Sequence, residues 1–321
     1  MILIRIFRTP THLTIISMAH TLVVLGGPTA VGKTRCGIEV AQHLKSEIIS
    51  ADSRQIYRET SIGTAVPSPE ELNAVRHHFI QTVSIQEQYN ASRYEYEVLV
   101  LLEDLFRRYD RVLMVGGSGL YIKAVCEGID ELPSPDPVLR KKLLYRLGHE
   151  GLESLTGELE RLDPVSYRRI DLNNHMRVLK ALEVSLQTGR PYSDLLSDKS
   201  KERPFQILRV ALDMDRDLLY RRINSRVDRM MERGLLEEVK RLQHFRECNA
   251  LKSVGYRELL EYLDGKAPLE EAVDRIKRNT RKFARKQLTW FRKNELYHWF
   301  SPDDPNAVIR WIEEQLHRKD G

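Results

Sequence analysis

Residues 22–34 read LVVLGGPTAVGKT, and within them stands Gly27-x-x-x-x-Gly32-Lys33-Thr34. Leu22, Val23, Val24 and Leu25 make an apolar run of strand length. The spacing of Cys36, Val40, Ala41 and Leu44 predicts a helix over 33–44. Strand, glycine loop and helix start form the setting that a phosphate-binding loop requires. Glycines let successive backbone N–H groups turn toward phosphate oxygens, and the helix start adds unpaired donors and partial positive charge. Gly27, Pro28, Thr29, Ala30, Val31 and Gly32 are therefore the candidate cradle. Lys33 brings a mobile cation, and the Thr34 hydroxyl is a candidate Mg²⁺ ligand.

EIISADS, residues 47–53, predicts a short buried strand through Ile48 and Ile49 with Asp52 at its C-terminal end. In open parallel sheets that end faces the ligand crevice, which favours a site role for Asp52 over a helix-cap role. Residues 58–71 contain Gly63, Pro67 and Pro69 and read as loop; 77–84 read as strand and 91–109 as helix. His77 and His78 are adjacent, so on a strand they face opposite ways, and a structural role outweighs a metal site. RVLMVGGSG, residues 111–119, reads as a third strand and its exit. Phosphate-loop ATPases usually end such a strand in an Asp that helps hold Mg²⁺. Here Gly116, Gly117, Ser118 and Gly119 stand instead, and no N-K-x-D guanine reader is found. This argues against an ordinary ATPase or GTPase and leaves a small-molecule kinase open. The glycines would permit close approach of a large ligand.

The 321 residues suffice for a large core and about two domains. A net charge of +5 is a mild excess whose distribution matters more than its sum. Cys36, Cys126 and Cys248 are odd in number and form no C-x-x-C pair, which fits a reduced, cytoplasmic chain without disulfides or zinc. There is no run of about 20 apolar residues to span a membrane. Residues 1–17 are apolar but broken by Arg5, Arg8, Pro10 and His12, unlike a signal peptide. They are expected to form a disordered leader, with Met18 a candidate start.

Pro133, Pro135 and Pro137 mark a change of character. Amphipathic segments follow at 138–147, 152–162, 164–170 and 175–187, and 205–214 reads as strand again. The economical arrangement is an α/β core over 18–128 and 205–321 with a helical insertion at 129–204, which suits a lid or partner-binding arm. Residues 215–244 predict one or two long helices on which Arg221, Arg222, Arg226, Arg229 and Arg233 recur. A subset turned toward the phosphate loop would clamp a leaving phosphate, the remainder forming a solvated face. RIKRNTRKFARKQLTWFRK, residues 275–293, holds nine basic residues and no acidic one. On a helix, Ile276, Phe283, Ala284, Trp290 and Phe291 share one arc with Thr280 and Gln287, and the basic residues fill the rest. Such an uninterrupted cationic face suits nucleic-acid phosphates better than a membrane surface.

Together these stretches resemble the tRNA dimethylallyltransferase (tRNA isopentenyltransferase) family from about Thr21 to Trp299. The motifs carrying the resemblance are, in order, GGPTAVGKT, ISADSRQIY, IGTAVPSPEE, VGGSGLYIKAVCEGI, LPSPDP, SVGYRE and RKQLTWFRK. The resemblance implies an α/β fold, a P-loop NTPase-like parallel sheet core with a helical insertion domain. It implies transfer of a dimethylallyl group from dimethylallyl diphosphate to N6 of the adenosine 3′-adjacent to the anticodon, in tRNAs reading codons that start with U. Diphosphate is released and Mg²⁺ is required. A diphosphate in the loop also accounts for the missing strand-end Asp.

On the same resemblance Arg222 helps hold the diphosphate, and Asp52 accepts the hydrogen bond and then the proton of the adenine N6. Thr29, Lys33 and Thr34 act beside it. Asp52, Ser53, Arg54 and Gln55 meet the extruded nucleotide, and Ser118 lines its entrance. Arg140, Met176, Arg177 and Lys180 grip the anticodon arm; within 176–180 only Arg177 and Lys180 can bind phosphate. Lys252, Gly255, Tyr256 and Arg257 contact the RNA, as do Arg285, Lys286, Gln287, Trp290 and Arg292. Some relatives carry a C-terminal zinc finger, for which this chain has no Cys/His pair. The expected state is a cytoplasmic monomer with no membrane or obligate protein partner. Three rivals stay open: an adenylate isopentenyltransferase, a small-molecule kinase with ATP in the loop, and a non-catalytic RNA-binding module. The loop and Asp52 argue against the last.

Overall fold

The computed structural model describes residues 20–197 and 200–317; the expected leader lies outside the described residues. The elements run β1 Thr21–Gly26, α1 Lys33–His43, β2 Ile48–Ala51, α2 Pro69–Ala74, β3 His77–His78, α3 Ala91–Leu105, β4 Arg111–Gly116 and α4 Gly119–Glu127. Then come α5 Pro137–Leu162, α6 Pro164–Arg169, α7 His175–Thr188, β5 Gln206–Leu212, α8 Arg216–Glu232, α9 Leu235–Leu242, α10 Tyr256–Leu263, α11 Leu269–Arg292, β6 His298–Phe300 and α12 Pro305–His317.

The strands form one sheet in the order β3-β2-β4-β1-β5-β6, and every pairing is parallel. Parallel neighbours need long crossovers, which the helices supply. β1 is buried at every position, as expected of a strand flanked on both sides and covered on both faces. Val23, Leu25, Leu113, Val210 and Leu212 of the sheet pack with Cys36, Val40 and Ala41 of α1, Ile223 of α8 and Ala284 of α11 in one core. Each large aliphatic side chain buried there contributes about 1.5–3 kcal/mol. The fold is α/β, as the sequence predicts.

Residues 127–202 form a compact unit of their own. Leu143, Leu155 and Leu159 of α5 pack there with Val178, Leu179 and Leu182 of α7. The break expected near residue 150 is a kink at Gly151, φ 80°, inside α5. Asp163 is fully buried and caps α6 through the Ser166 N–H, while also accepting from the Ser193 N–H and hydroxyl.

Two expectations shift. Helix α2 begins inside the segment read as loop, because Ser68 and Glu71 form a reciprocal capping box around Pro69. The strand expected over 77–84 is only two residues long, with a separate bridge between Tyr57 and Val83. His77 Nδ1 meets the Val75 carbonyl at 2.8 Å and His78 Nε2 meets Glu47 at 2.5 Å, so both histidines are structural. Burial alone would raise the Glu47 carboxyl, but bonds from His78, Arg108 and Tyr109 hold it down at about 2. Among the described residues no helix is long and apolar enough to cross a membrane, and no three His, Cys, Asp or Glu side chains gather as metal ligands.

Candidate active site

β1, β4 and β2 end side by side, so the phosphate loop, the Gly116–Gly117 exit and Asp52 line one edge of the sheet, with the exit between the other two. Gly27 has φ 139°, and a Cβ there would stand 2.8 Å from the Leu212 carbonyl oxygen, which makes glycine obligatory. Lys33 Nζ folds back to donate to the carbonyls of Gly27 at 3.0 Å and Pro28 at 2.7 Å. Desolvation lowers the Lys33 amine to about 8; Asp52 pulls it up and Arg226 pushes it further down. A bound anion would favour its charged form.

Two cavities meet here. One, of about 800 Å³, is lined by Gly32, Lys33, Thr34, Arg221, Arg222, Arg229 and Arg233. The other, of about 580 Å³, is lined by Ser53, Arg54, Ser118, Lys252, Gly255, Thr280, Lys286 and Trp290. Thr29, Asp52, Arg226, Met230, Phe283 and Gln287 line both.

The shared residues are tied together. Asp52 Oδ1 accepts the N–H of Arg54 at 2.8 Å and of Gln55 at 3.3 Å, closing the turn after β2. No helix starts at Asp52, so the expected alternative of a helix cap gives way to a turn: one oxygen closes it while the residue lines both cavities. Arg226 Nη1 donates to the Thr29 hydroxyl at 3.1 Å. Desolvation lowers its guanidinium, and the charge of Asp52 opposes that shift. Arg222 Nη1 donates to the Val31 carbonyl at 3.2 Å, and its Nη2 lies 3.4 Å from Asp303. The Thr34 hydroxyl lines the first cavity and has no hydrogen bond among the described residues. A free hydroxyl at the start of α1 suits Mg²⁺, a hard ion that takes few protein oxygens and completes its shell with phosphate and water.

Around the second cavity the Ser53 N–H donates to Ser118 Oγ at 2.9 Å, and the two hydroxyls stand 3.1 Å apart. Arg54 reaches the Asn249 carbonyl at 3.0 Å, whereas Gln55, on the first cavity, donates through Nε2 to Ala65 O at 2.8 Å. Lys252 lies 3.4 Å from Glu247, and Arg257 pairs with Glu258 at 2.7 Å. In the 127–202 unit Arg177 and Met176 are exposed and Lys180 is half-buried. Arg140 is held by the fully buried Glu183 at 2.6 Å.

Several expected roles change. Tyr256 is fully buried and its hydroxyl donates to Glu238 at 2.6 Å, so it offers no surface to RNA. Glu238 also accepts the N–H groups of Ser61, Ile62 and Gly63, pinning the wall that carries Ile62, Ala65 and Val66. Nothing in the sequence marked it. Gln287 is 8% exposed with both ends of its amide bonded inside the protein, so it lines the cavities without offering a free polar atom. The glycines after β4 line the cavities and also make room for protein: a Cβ at Gly116 would overlap the Ala51 backbone, at Gly117 the Gln287 amide, at Gly119 the Trp290 indole. Phe283, expected in the packed arc of α11, is 46% exposed and lines both cavities.

The cationic face of α11 is partly spent. Arg292 pairs with Asp213 at 2.6 Å, Lys277 with Asp228 at 2.5 Å and Arg275 with Glu261. Arg281 donates to Asn224 at 2.6 Å. Arg278, Lys282, Arg285 and Lys286 are exposed and carry no ion pair among the described residues. Of the α8 arginines, Arg226 joins Arg222 at the loop; its spacing of one helical turn from Arg222 was the available signal.

A family model described as IPP transferase matches residues 55–294, a span that begins just after Asp52. tRNA dimethylallyltransferase 1 of Bacteroides fragilis is 45% identical over 298 residues, 93% of this chain and 99% of that protein. tRNA dimethylallyltransferase 2 of Porphyromonas gingivalis is 49% identical over 290 residues, 90% of this chain and 97% of its own. The crystal structure of tRNA isopentenylpyrophosphate transferase from Bacillus halodurans is similar with TM-score 0.69 and 35% identity, covering 94% of this chain and 98% of that one. A eukaryotic dimethylallyltransferase acting on tRNA is similar with TM-score 0.67 and 27% identity, over 84% of this chain and 69% of that one.

Proposed function

The chain belongs to the IPP transferase family, and from that premise we propose that it transfers a dimethylallyl group from dimethylallyl diphosphate to N6 of the adenosine 3′-adjacent to the anticodon, in tRNAs reading codons that start with U. The observation carrying this reading is the wall of Thr29, Asp52 and Arg226 between an arginine-lined cavity on the phosphate loop and a cavity rimmed by Ser118, Lys252 and Trp290. Two ligands entering from the two sides would meet at Asp52.

The donor's diphosphate lies on the amides at the start of α1, with Lys33, Arg222 and Arg226 around it. As the allylic C–O bond breaks, positive charge grows on carbon and negative charge on the departing oxygen. Preorganised N–H groups and cations stabilise the oxygen side. The adenine N6 attacks that carbon, the N–C bond forms, diphosphate leaves, and Asp52 takes the N6 proton. A base stacked in the anticodon arm must be extruded to reach this point. Thr34 would hold Mg²⁺, which when bound adds neutralisation of the diphosphate charge. Arg285, Lys286 and Lys282 of α11, with Arg177 and Lys180 of the insertion, are the proposed contacts to RNA phosphates. A cytoplasmic monomer is part of the same proposal.

The exposed basic residues of α11 favour tRNA over a free nucleotide as acceptor. The test offers labelled dimethylallyl diphosphate with three acceptors: unmodified tRNA, the same tRNA with guanosine 3′ of the anticodon, and AMP. Label is expected in the first alone. Label in AMP alone supports an adenylate isopentenyltransferase instead.

A further inference from the structure

Gln287 lies on the buried side of α11, and both ends of its amide are engaged. Oε1 accepts the Thr29 N–H at 2.8 Å, and Nε2 donates to the Gly117 carbonyl at 2.9 Å. The two partners fix the orientation of the amide, since only oxygen can serve an N–H and only nitrogen a carbonyl. A Cβ on Gly117 would overlap Nε2, so the exit of β4 presses directly on this side chain. One amide therefore joins the phosphate loop, the β4 exit and a helix whose neighbouring Arg285 and Lys286 are exposed. Thr29, held here by its backbone, is also held by its hydroxyl through Arg226.

We propose that Gln287 is a positioning residue for the transfer reaction. It sets the Thr29 backbone at a fixed distance from the Gly117 carbonyl, so that Thr29 and Arg226 stand beside Asp52 when the acceptor base arrives. This rests on the function proposed above. Leucine at 287 would fill similar space and bond to neither partner. Glutamate would still accept from Thr29, but when ionised its second oxygen faces the Gly117 carbonyl as acceptor against acceptor. When protonated it can serve both partners.

The experiment assays Gln287→Leu and Gln287→Glu with labelled dimethylallyl diphosphate and unmodified tRNA at saturation, and measures tRNA binding separately. Loss of two bonds at the reacting wall is expected to lower kcat of Gln287→Leu by about 30-fold while tRNA Kd stays within about threefold. The ratio of Gln287→Glu kcat to wild-type kcat is expected to rise as pH falls from about 8 to about 5.5, as the introduced carboxyl gains its proton. A merely structural role would lower the thermal midpoint and leave that ratio flat. Wild-type kcat in Gln287→Leu, or a flat ratio in Gln287→Glu, overturns the proposal; if the leucine variant does not fold, the glutamate ratio decides. No transfer by the wild type overturns the functional reading itself, and this inference with it.

Discussion

Arg226 on α8 donates to the hydroxyl of Thr29 in the phosphate loop at 3.1 Å, joining a cation and a hydroxyl in the wall shared by the two cavities. In the proposed reaction that cation faces the oxygen on which negative charge develops. Arg226→Gln keeps a donor for Thr29 and removes the charge. The transfer rate at saturation is expected to fall about 10²–10³-fold, the usual consequence of losing one preorganised donor to a developing oxyanion. Single-turnover kinetics with labelled donor check this; a change of less than about threefold would remove Arg226 from the chemistry.

Asp52 serves the turn after β2 and, in the proposed mechanism, the acceptor nitrogen. Asparagine and alanine separate the two roles. Asp52→Asn retains an acceptor for the Arg54 and Gln55 N–H groups and loses the base, so turnover should drop by at least about 10² with stability preserved. Asp52→Ala should lose the same turnover and a further 0.5–2 kcal/mol or so of stability, as for a lost cap. Urea unfolding and turnover measured on both variants check it. Full activity in Asp52→Asn would contradict the base assignment.

RNA docking should show in salt dependence. Replacing Lys282, Arg285 and Lys286 by glutamine should weaken tRNA binding and reduce the log Kd against log salt slope by about 1 for each RNA phosphate no longer neutralised. Lys277 already pairs with Asp228, so Lys277→Gln should change the slope less. Filter binding over a salt series reads both, and an unchanged slope in the triple variant would contradict docking on this face.

The phosphate loop holds the Lys33 amine at about 8, lowered chiefly by desolvation. The sign follows from which form the ligand prefers. Below about 8 the amine is charged and a bound diphosphate keeps it so; above, binding must take up a proton, and donor affinity falls as pH rises. Calorimetry of dimethylallyl diphosphate at pH of about 7 and about 9, in buffers of different ionisation enthalpy, should show proton uptake at the higher pH. Lys33→Arg should remove the part due to this residue, since arginine stays charged. Equal uptake in both proteins would contradict the assignment.

Tyr256 is expected to act through stability. Tyr256→Phe deletes the bond to the buried Glu238, at a cost of about 1–3 kcal/mol by urea unfolding. Its tRNA affinity per folded molecule should match wild type. A selective loss of tRNA binding with unchanged stability would restore Tyr256 as an RNA contact.

The phosphate loop, the strand before it and Asp52 were legible because they rest on local patterns: an apolar run, obligatory glycines and a strand-end polar residue. Helix α2 was missed although Ser68-Pro69-Glu70-Glu71 carries a capping box, because the nearby Gly63 and Pro67 read as loop. Gln287 is more instructive. Helical periodicity placed it on the inner arc of α11, where it is buried, and the family resemblance placed it at the RNA; neither showed that its amide would tie the loop to the β4 exit. Glu238 and Tyr256 were beyond reach, since their partners lie on separate segments whose meeting only the fold creates. Among five arginines on α8, spacing could say that one face carries a clamp but not which face meets the loop.

The most direct measurement locates the transferred group. Wild-type protein is incubated with ¹⁴C-labelled dimethylallyl diphosphate, Mg²⁺ and an unmodified anticodon stem-loop, and the RNA is digested to nucleosides. The account predicts one labelled nucleoside, an adenosine carrying the group on N6 from the position 3′ of the anticodon, with one diphosphate released per transfer. Unlabelled RNA beside hydrolysis of a nucleoside triphosphate, or transfer of its terminal phosphate, would contradict it.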